Sequence, residues 1–299
     1  MKNLGSWFQE RFPLINVFSG YLLYAVSVTG FRLTQQKAVR LTKFDFVIGL
    51  CLVCHFLLLR VIDEHKDFKD DLSLHPSRVL QRGLVSLKTL RWVGVIAFIL
   101  PTVLMTVFAN QVREASIYWL ALMVWTALMS VEFFNSAFLR KHLFLYSLSH
   151  MLVLPFMILW AIVLGAGHVA LNDGRTLIFL LMVLSNGMIY EVTRKAKASD
   201  EAVSGEATFR SLWGARRTAF VIAAFAAISF FCFCAYLLTA FNPGFYFYLP
   251  TAFGLAMTIG AAREYAKHSA KKTRKGLESA GALYVLIAYA TVIIAAYRG

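Results

Sequence analysis

Long apolar runs alternate with short charged segments along the whole chain. Nine apolar stretches can be marked, near residues 14–32, 45–62, 92–110, 116–136, 143–166, 175–191, 218–240, 245–262 and 280–297. Wound as a helix, each can cross a hydrocarbon core of about 30 Å. None shows the two-residue alternation of a transmembrane strand, and a single segment in lipid satisfies its own backbone only as a helix. The pattern predicts an all-α polytopic membrane bundle of about nine transmembrane helices. It is read as a single transmembrane domain over 1–299, with two weakly similar halves, about 1–140 and 141–299.

Composition agrees. The chain is 59% hydrophobic and only 15% charged, with a mean hydropathy of +0.64. Soluble domains carry about a quarter charged residues, so the apolar excess here must face lipid. The segment before the first apolar run is polar and mixed in charge, unlike a cleavable signal peptide.

A net charge of +14 could point to nucleic acid, but the placement of the bases argues against such a partner. The N-terminus and the loops 63–91, 137–142, 192–217 and 263–279 hold 22 of the 30 Lys and Arg residues. The positive-inside rule puts those segments in the cytoplasm and the C-terminus on the opposite side. The first outer loop, with Arg32, Lys37, Arg40 and Lys43, is a local exception. Cys51/Cys54 and Cys232/Cys234 lie inside apolar runs with no completing metal-ligand pair, and read as small packing residues.

The acids are distributed unusually. Asp63, Glu64, Asp67, Asp70 and Asp71 follow the second stretch; Glu191, Asp200, Glu201 and Glu206 follow the sixth. In a continuous helix Asp63, Asp67 and Asp71 share one face, where like charges repel and a divalent cation relieves them. Carboxylates suit hard Mg²⁺, which is commonly held by one or two of them together with substrate phosphates. Arg78, Arg82 and Lys88 come next and could clamp phosphate oxygens. The second segment, from Tyr190 to Glu201 with Arg194, Lys195 and Lys197, repeats the mixture. Two such loops on one membrane face predict a cation–diphosphate cradle.

These motifs resemble those of the UbiA superfamily of intramembrane prenyltransferases. The family's N-D-x-x-D-x-x-x-D is matched by Asp63, Glu64, Asp67 and Asp71, with Asp63 standing for the Asn. Its x-x-R-P-L-x-x-G-x-I-S is similar to Pro76–Ser86, with Arg78 and Gly83 in register and Val79 replacing Pro. The second motif is less regular: Glu191 and Lys195 take the D-x-x-x-D register, Asp200 and Glu201 stand later, and Gly205, Thr208 and Gly214 follow. Lys141 can supply the Lys of the family's Tyr-x-x-x-Lys, but Ala137 stands where the Tyr would be.

The resemblance implies a central cavity, Mg²⁺, a prenyl diphosphate donor and a lipophilic, possibly aromatic, acceptor within the bilayer of a bacterial inner membrane. It makes Asp63, Glu64, Asp67, Asp71 and Glu191 the catalytic candidates, and Glu64, Asp67, Asp71, Glu191, Asp200 and Glu201 the metal candidates. Arg78, Lys141, Arg194 and Lys195 become the candidate diphosphate contacts. Terpene cyclisation of the same donor is the alternative within the superfamily, and secondary transport is the alternative outside it.

Glu132 is the most suggestive acid within a span, since a charge there should face the protein interior or water. It is expected either to pair with Arg60 or orient an acceptor, or to reach Arg140 or Lys141. His55, His150 and Asn186 read as hydrogen-bonded interhelical groups.

Overall fold

A computed structural model describes residues 2–109, 112–198, 200–201 and 207–298; Gly205 and Glu206 of the second acidic loop lie outside the described residues. Among the described residues there are thirteen α-helices and no strand. They are α1 (Lys2–Arg11), α2 (Leu14–Thr34), α3 (Lys43–Lys66), α4 (Phe68–Leu74), α5 (Leu87–Phe108), α6 (Val112–Ser130), α7 (Ser136–Lys141), α8 (Leu143–Met151), α9 (Val153–Ala166), α10 (Gly174–Arg194), α11 (Phe209–Ala240), α12 (Leu249–Lys267) and α13 (Lys271–Arg298). The chain divides into two compact units. The first comprises Met1–Arg32, Arg40–Phe133 and Met157–His168, the second Leu33–Val39, Phe134–Phe156 and Val169–Gly299.

Eight segments are long and apolar enough to cross a membrane: α2, α3, α5, Leu143–Ala166 (α8 with α9), α10, α11, Phe245–Lys267 (α12 with the turn before it), and α13. The remaining predicted stretch, 116–136, contributes the 19-residue α6, whose first turn carries Arg113 and Glu114. The chain is an integral membrane protein. Its α5 shows why lipid is the required solvent. One face presents Trp92, Ile96, Ile99, Val103 and Val107, all exposed, while the opposite face buries Leu90, Gly94, Ala97, Pro101 and Met105. Large apolar side chains therefore cover the outward face, where a soluble helix would carry polar ones, and Gly94 and Ala97 let the inward face approach protein closely.

In the first unit α3 is gripped from two sides. A Cβ on Gly20 of α2 would come within 2.8 Å of Val53, and one on Gly94 of α5 within 3.0 Å of Val61. Glycine at both positions lets backbones approach closely where polar glue is scarce. At the N-terminal end of α3 Thr42 and Asp45 form a capping box. Asp45 also takes Arg32 at 2.5 Å and the Tyr24 hydroxyl at 3.0 Å. That pairing neutralises one base of the anomalous first outer loop. The C-terminal end of α3 rests on a cluster of Trp7, Phe12, Val61, Val79, Leu80, Val85 and Leu90.

The second unit packs α10 on α11, α11 on α12 and α12 on α13. Ser229 donates to Asn186 Oδ1 at 2.6 Å and receives the Tyr284 hydroxyl at 3.0 Å, which ties α10, α11 and α13 together. Asn186 is thus the interhelical hydrogen-bonder expected of it. His55 meets Thr126 of α6 at 3.4 Å, whereas His150 bonds within its own helix, to the Tyr146 carbonyl at 2.8 Å.

Candidate active site

The first acidic segment keeps helical registry through a break. Helix α3 ends at Lys66 and α4 begins at Phe68, yet the amide of Asp67 bonds the Asp63 carbonyl at 2.8 Å, and that of Asp71 bonds the Asp67 carbonyl at 2.9 Å. Four-residue spacing survives, so the three aspartates stack along one side, as the motif requires. His65 braces the break by bridging the carbonyls of Val61 at 2.8 Å and Leu87 at 3.1 Å.

The carboxylates differ in how they are neutralised. Glu64 is buried and ion-paired with Arg11 of α1, leaving its Oε2 enclosed without a hydrogen-bond partner. Asp71 is buried and held by Arg78 at 2.5 Å. Asp63 and Asp67 are half-buried, and neither makes a close ion pair. Lys66 Nζ stands 3.9 Å from Asp63, 3.9 Å from Asp67 and 3.9 Å from Glu132, while Arg60 reaches Asp63 at 3.9 Å. Burial, opposed by Lys66 and reinforced by Asp63, Asp71 and Glu132, pushes the Asp67 carboxyl up to about 6. Crowded carboxylates that lack contact counter-charges favour protonation or a cation.

Glu132 reaches Lys66 through an unusual backbone. After α6, Glu132, Phe133 and Phe134 all take positive φ, at 48°, 53° and 57°. Non-glycine residues there cost about 1–2 kcal/mol each, and such strain is concentrated at functional sites. The turn redirects the chain at the end of α6, and the Glu132 carboxylate is buried against the acidic segment. Lys66 was not among the bases expected near Glu132, and the side chain of the expected Arg140 lies outside the described residues.

Among the described residues no three His, Cys, Asp or Glu side chains come close enough together to hold a metal as they stand. Their chemistry nevertheless fits a hard divalent ion. The donors are all carboxylate oxygens, one buried oxygen of Glu64 is unpartnered, and an ammonium already stands among three carboxylates as a monovalent cation.

In the second unit the described acids of the second segment are individually satisfied. Buried Glu191 pairs with Arg194 at 2.7 Å and Lys195 at 2.7 Å. The Lys195 ammonium also lies 4.3 Å from the Tyr146 ring centroid and 3.4 Å from Ser147 Oγ. Asp200 accepts the backbone N–H of Lys271 at 3.1 Å, and Glu201 takes Arg274 at 2.6 Å, so both fasten their loop to the start of α13. Thr208 caps α11, and Gly214 bends that helix at φ 74°. Lys141 is exposed at the end of α7.

Sequence reasoning missed the basic and N-terminal contributors. Arg11 on Glu64, Glu10 Oε2 accepting the Val79 amide at 3.1 Å, and Trp7, fully buried, make α1 part of the site's support. The only hint was the spacing in α1, where Trp7 and Arg11 stand four residues apart on one helical face. Lys66 was visible within the motif but passed over because the motif defines acids only.

Comparison with known proteins adds to this geometry. No protein-family model and no curated protein sequence matches the chain. Solved structures do match in fold, among them the following two. One, from work on digeranylgeranylglyceryl phosphate synthase in membranes, aligns with a TM-score of 0.66 and 16% identity over 100% of both chains. The other, an apo structure of a UbiA homolog from Aeropyrum pernix K1, has a TM-score of 0.59 and 12% identity, covering 90% of this chain and 96% of that one. The chain therefore has the fold of the UbiA-type intramembrane prenyltransferases.

Proposed function

We propose that the chain is a Mg²⁺-dependent intramembrane prenyltransferase, moving a prenyl group from its diphosphate to a lipophilic acceptor. The observation that carries the reading is the helically spaced Asp63–Asp67–Asp71 series, with burial raising Asp67, on a fold like that of the digeranylgeranylglyceryl phosphate synthase structure. In the reaction the allylic carbon–oxygen bond of the donor breaks, and its electron pair leaves with the diphosphate. The acceptor's nucleophilic atom bonds that carbon and gives up a proton.

Mg²⁺ bound here would neutralise charge growing on the leaving oxygens. Asp67 and Asp63 are the first ligands we assign to it, with Glu132 beside them and the open oxygen of Glu64 in reserve; Glu191, Asp200 and Glu201 are weaker assignments. Arg11 and Arg78 fix Glu64 and Asp71, so their carboxylates do not repel the incoming donor. Arg78, Lys141, Arg194 and Lys195 are the proposed contacts to diphosphate. The bases flanking the acidic segment support a cytoplasmic position for it.

The test is purified protein with Mg²⁺ and geranyl, farnesyl or geranylgeranyl diphosphate, with and without lipophilic acceptors, scored for released diphosphate and by mass spectrometry. Acceptor-dependent adducts are expected. Hydrocarbon or alcohol without acceptor would replace transfer by cyclisation. Uptake into liposomes with no diphosphate released would replace both by transport.

A further inference from the structure

We propose that the groove between α8 and the first half of α11 holds one chain of an anionic phospholipid, with Arg217 at its end to take the headgroup phosphate. The inference is independent of the transfer reading and lies wholly within the second unit.

The groove has a volume of about 340 Å³ and is lined by Phe144 of α8 and by Trp213, Val221, Ala224, Phe225 and Ile228 of α11. The rings of Trp213 and Phe225 stand 5.8 Å and 6.3 Å from that of Phe144 and form its walls. Ala224, small between Val221 and Ile228, leaves the space open. A second hollow of about 270 Å³ adjoins it, sharing Trp213 and Val221 and adding Arg217 and Phe220. The charge is therefore at one end only. Arg217, Val221, Ala224 and Ile228 follow one another at helical spacing, so they run along one side of α11. At 1.5 Å per residue, Arg217 to Ile228 spans roughly 16 Å, about half of a hydrocarbon core. That is the depth of one leaflet.

Charge selects the occupant. Arg216 and Arg217 are both exposed, and among the described residues no carboxylate pairs with either. Arg210, Arg216 and Arg217 support a cytoplasmic position for this end of α11, and the cytoplasmic leaflet carries the anionic lipids. A guanidinium fork matches phosphate oxygens, and Trp213 beside it suits the headgroup level. A zwitterionic lipid could lay the same chain in the groove, but its headgroup brings a cation of its own to the arginines. The headgroup therefore decides which lipid stays.

The test uses the delipidated full chain in neutral detergent, without metal or donor, titrated with phosphatidylglycerol or phosphatidylcholine carrying the same brominated acyl chains. Bromine quenches tryptophan on contact, so the signal of Trp213 is the difference between wild type and Trp213→Phe. Phosphatidylglycerol should quench that signal at a concentration about fivefold below phosphatidylcholine, the factor one base near the membrane surface supplies. Arg217→Gln should erase the preference and Arg217→Lys should keep most of it. Ala224→Phe should weaken both lipids by filling the groove, and Ala224→Leu gives the same readout if that variant does not accumulate. Equal affinity for the two lipids in wild type, a preference that survives in Arg217→Gln, or unchanged quenching in Trp213→Phe would each overturn the proposal. So would a dimer that Ala224→Phe splits and phosphatidylglycerol does not, since the groove would then belong to a second copy of the chain. None of these outcomes touches the transfer reading.

Discussion

The two acidic segments look alike in sequence and differ in how their charge is balanced. In the second, each described acid has its own close partner: Glu191 with Arg194 and Lys195, Glu201 with Arg274, and Asp200 on the Lys271 amide. In the first, Asp63, Asp67 and Glu132 share Lys66 at 3.9 Å. Acids with close partners are already structural, fixing α10 to its own C-terminal turn and the loop to α13. Asp63 and Asp67, whose ion pairs with Arg60 and Lys66 are all at 3.9 Å, are less tightly committed. In the reading proposed above, that difference favours the first segment as the place for a divalent ion, although the number of acids alone would treat both as equal.

The largest expected effect follows from that contrast. Asp67→Asn should abolish Mg²⁺-dependent diphosphate release, because it removes the least compensated carboxylate. Asp71→Ala should also abolish it, by freeing Arg78 and losing the buried end of the series. Both proteins should remain in the membrane. Full activity in both variants would remove the aspartate series from the chemistry. Asp67→Asn should also melt higher than wild type above pH 7, since it removes a charge that burial disfavours.

How much of this was legible in the sequence depends on the kind of interaction. The all-helical membrane fold was readable because lipid enforces long apolar helices whatever their neighbours. The register of Asp63, Asp67 and Asp71 was readable because it needs only helical spacing. Arg11, Glu10 and Lys66 were not, for separate reasons. Arg11 and Glu64 are 53 positions apart in the chain, and no local rule pairs them. Lys66 looked like one more loop base until its distances to three carboxylates were known. Glu132 was singled out as an unusual acid, but its approach to Lys66 was hidden by the left-handed turn, which the phenylalanines at 133 and 134 would not suggest.

Glu191→Gln probes the opposite side of the comparison, and its expected effect is on stability. Removing one member of a buried pair costs about 3–5 kcal/mol when the partners stay buried. Arg194 is half exposed and can turn to solvent, so a loss of about 1–3 kcal/mol is expected here. Thermal melting in detergent would register it, while Mn²⁺ affinity measured without donor should stay near wild type. A large loss of that affinity with no change in melting would make Glu191 a primary metal ligand and erase the distinction between the two segments.

A smaller effect tests the support beneath the first segment. Gly94→Ala puts a methyl 3.0 Å from Val61, one turn before the acids, and asks α3 to give by a few tenths of an ångström. Overpacking of this kind costs about 1–3 kcal/mol. The melting temperature should drop, and Mg²⁺ affinity should weaken less than threefold. An unchanged melting temperature would mean that α3 and α5 are not tightly fitted there.

The smallest effect is the pH dependence of stability carried by Asp67. Its carboxyl is raised to about 6 from the model-peptide value of 3.8. Between those two values the unfolded chain has released its proton and the folded chain still holds it. The unfolded state then binds fewer protons, so stability falls as pH rises from about 4 to about 6 and levels off above that. Metal-free protein should show this decline in melting temperature, and Asp67→Asn should flatten it. Saturating Mn²⁺ should reverse the sign in wild type, because the ion binds the ionised carboxylate and competes with the proton. Glu191 of the second segment should supply no such reversal, since Arg194 and Lys195 hold its carboxyl down to about 2, below that window. Reversal that persists in Asp67→Asn would relocate the ion to carboxylates outside the aspartate series.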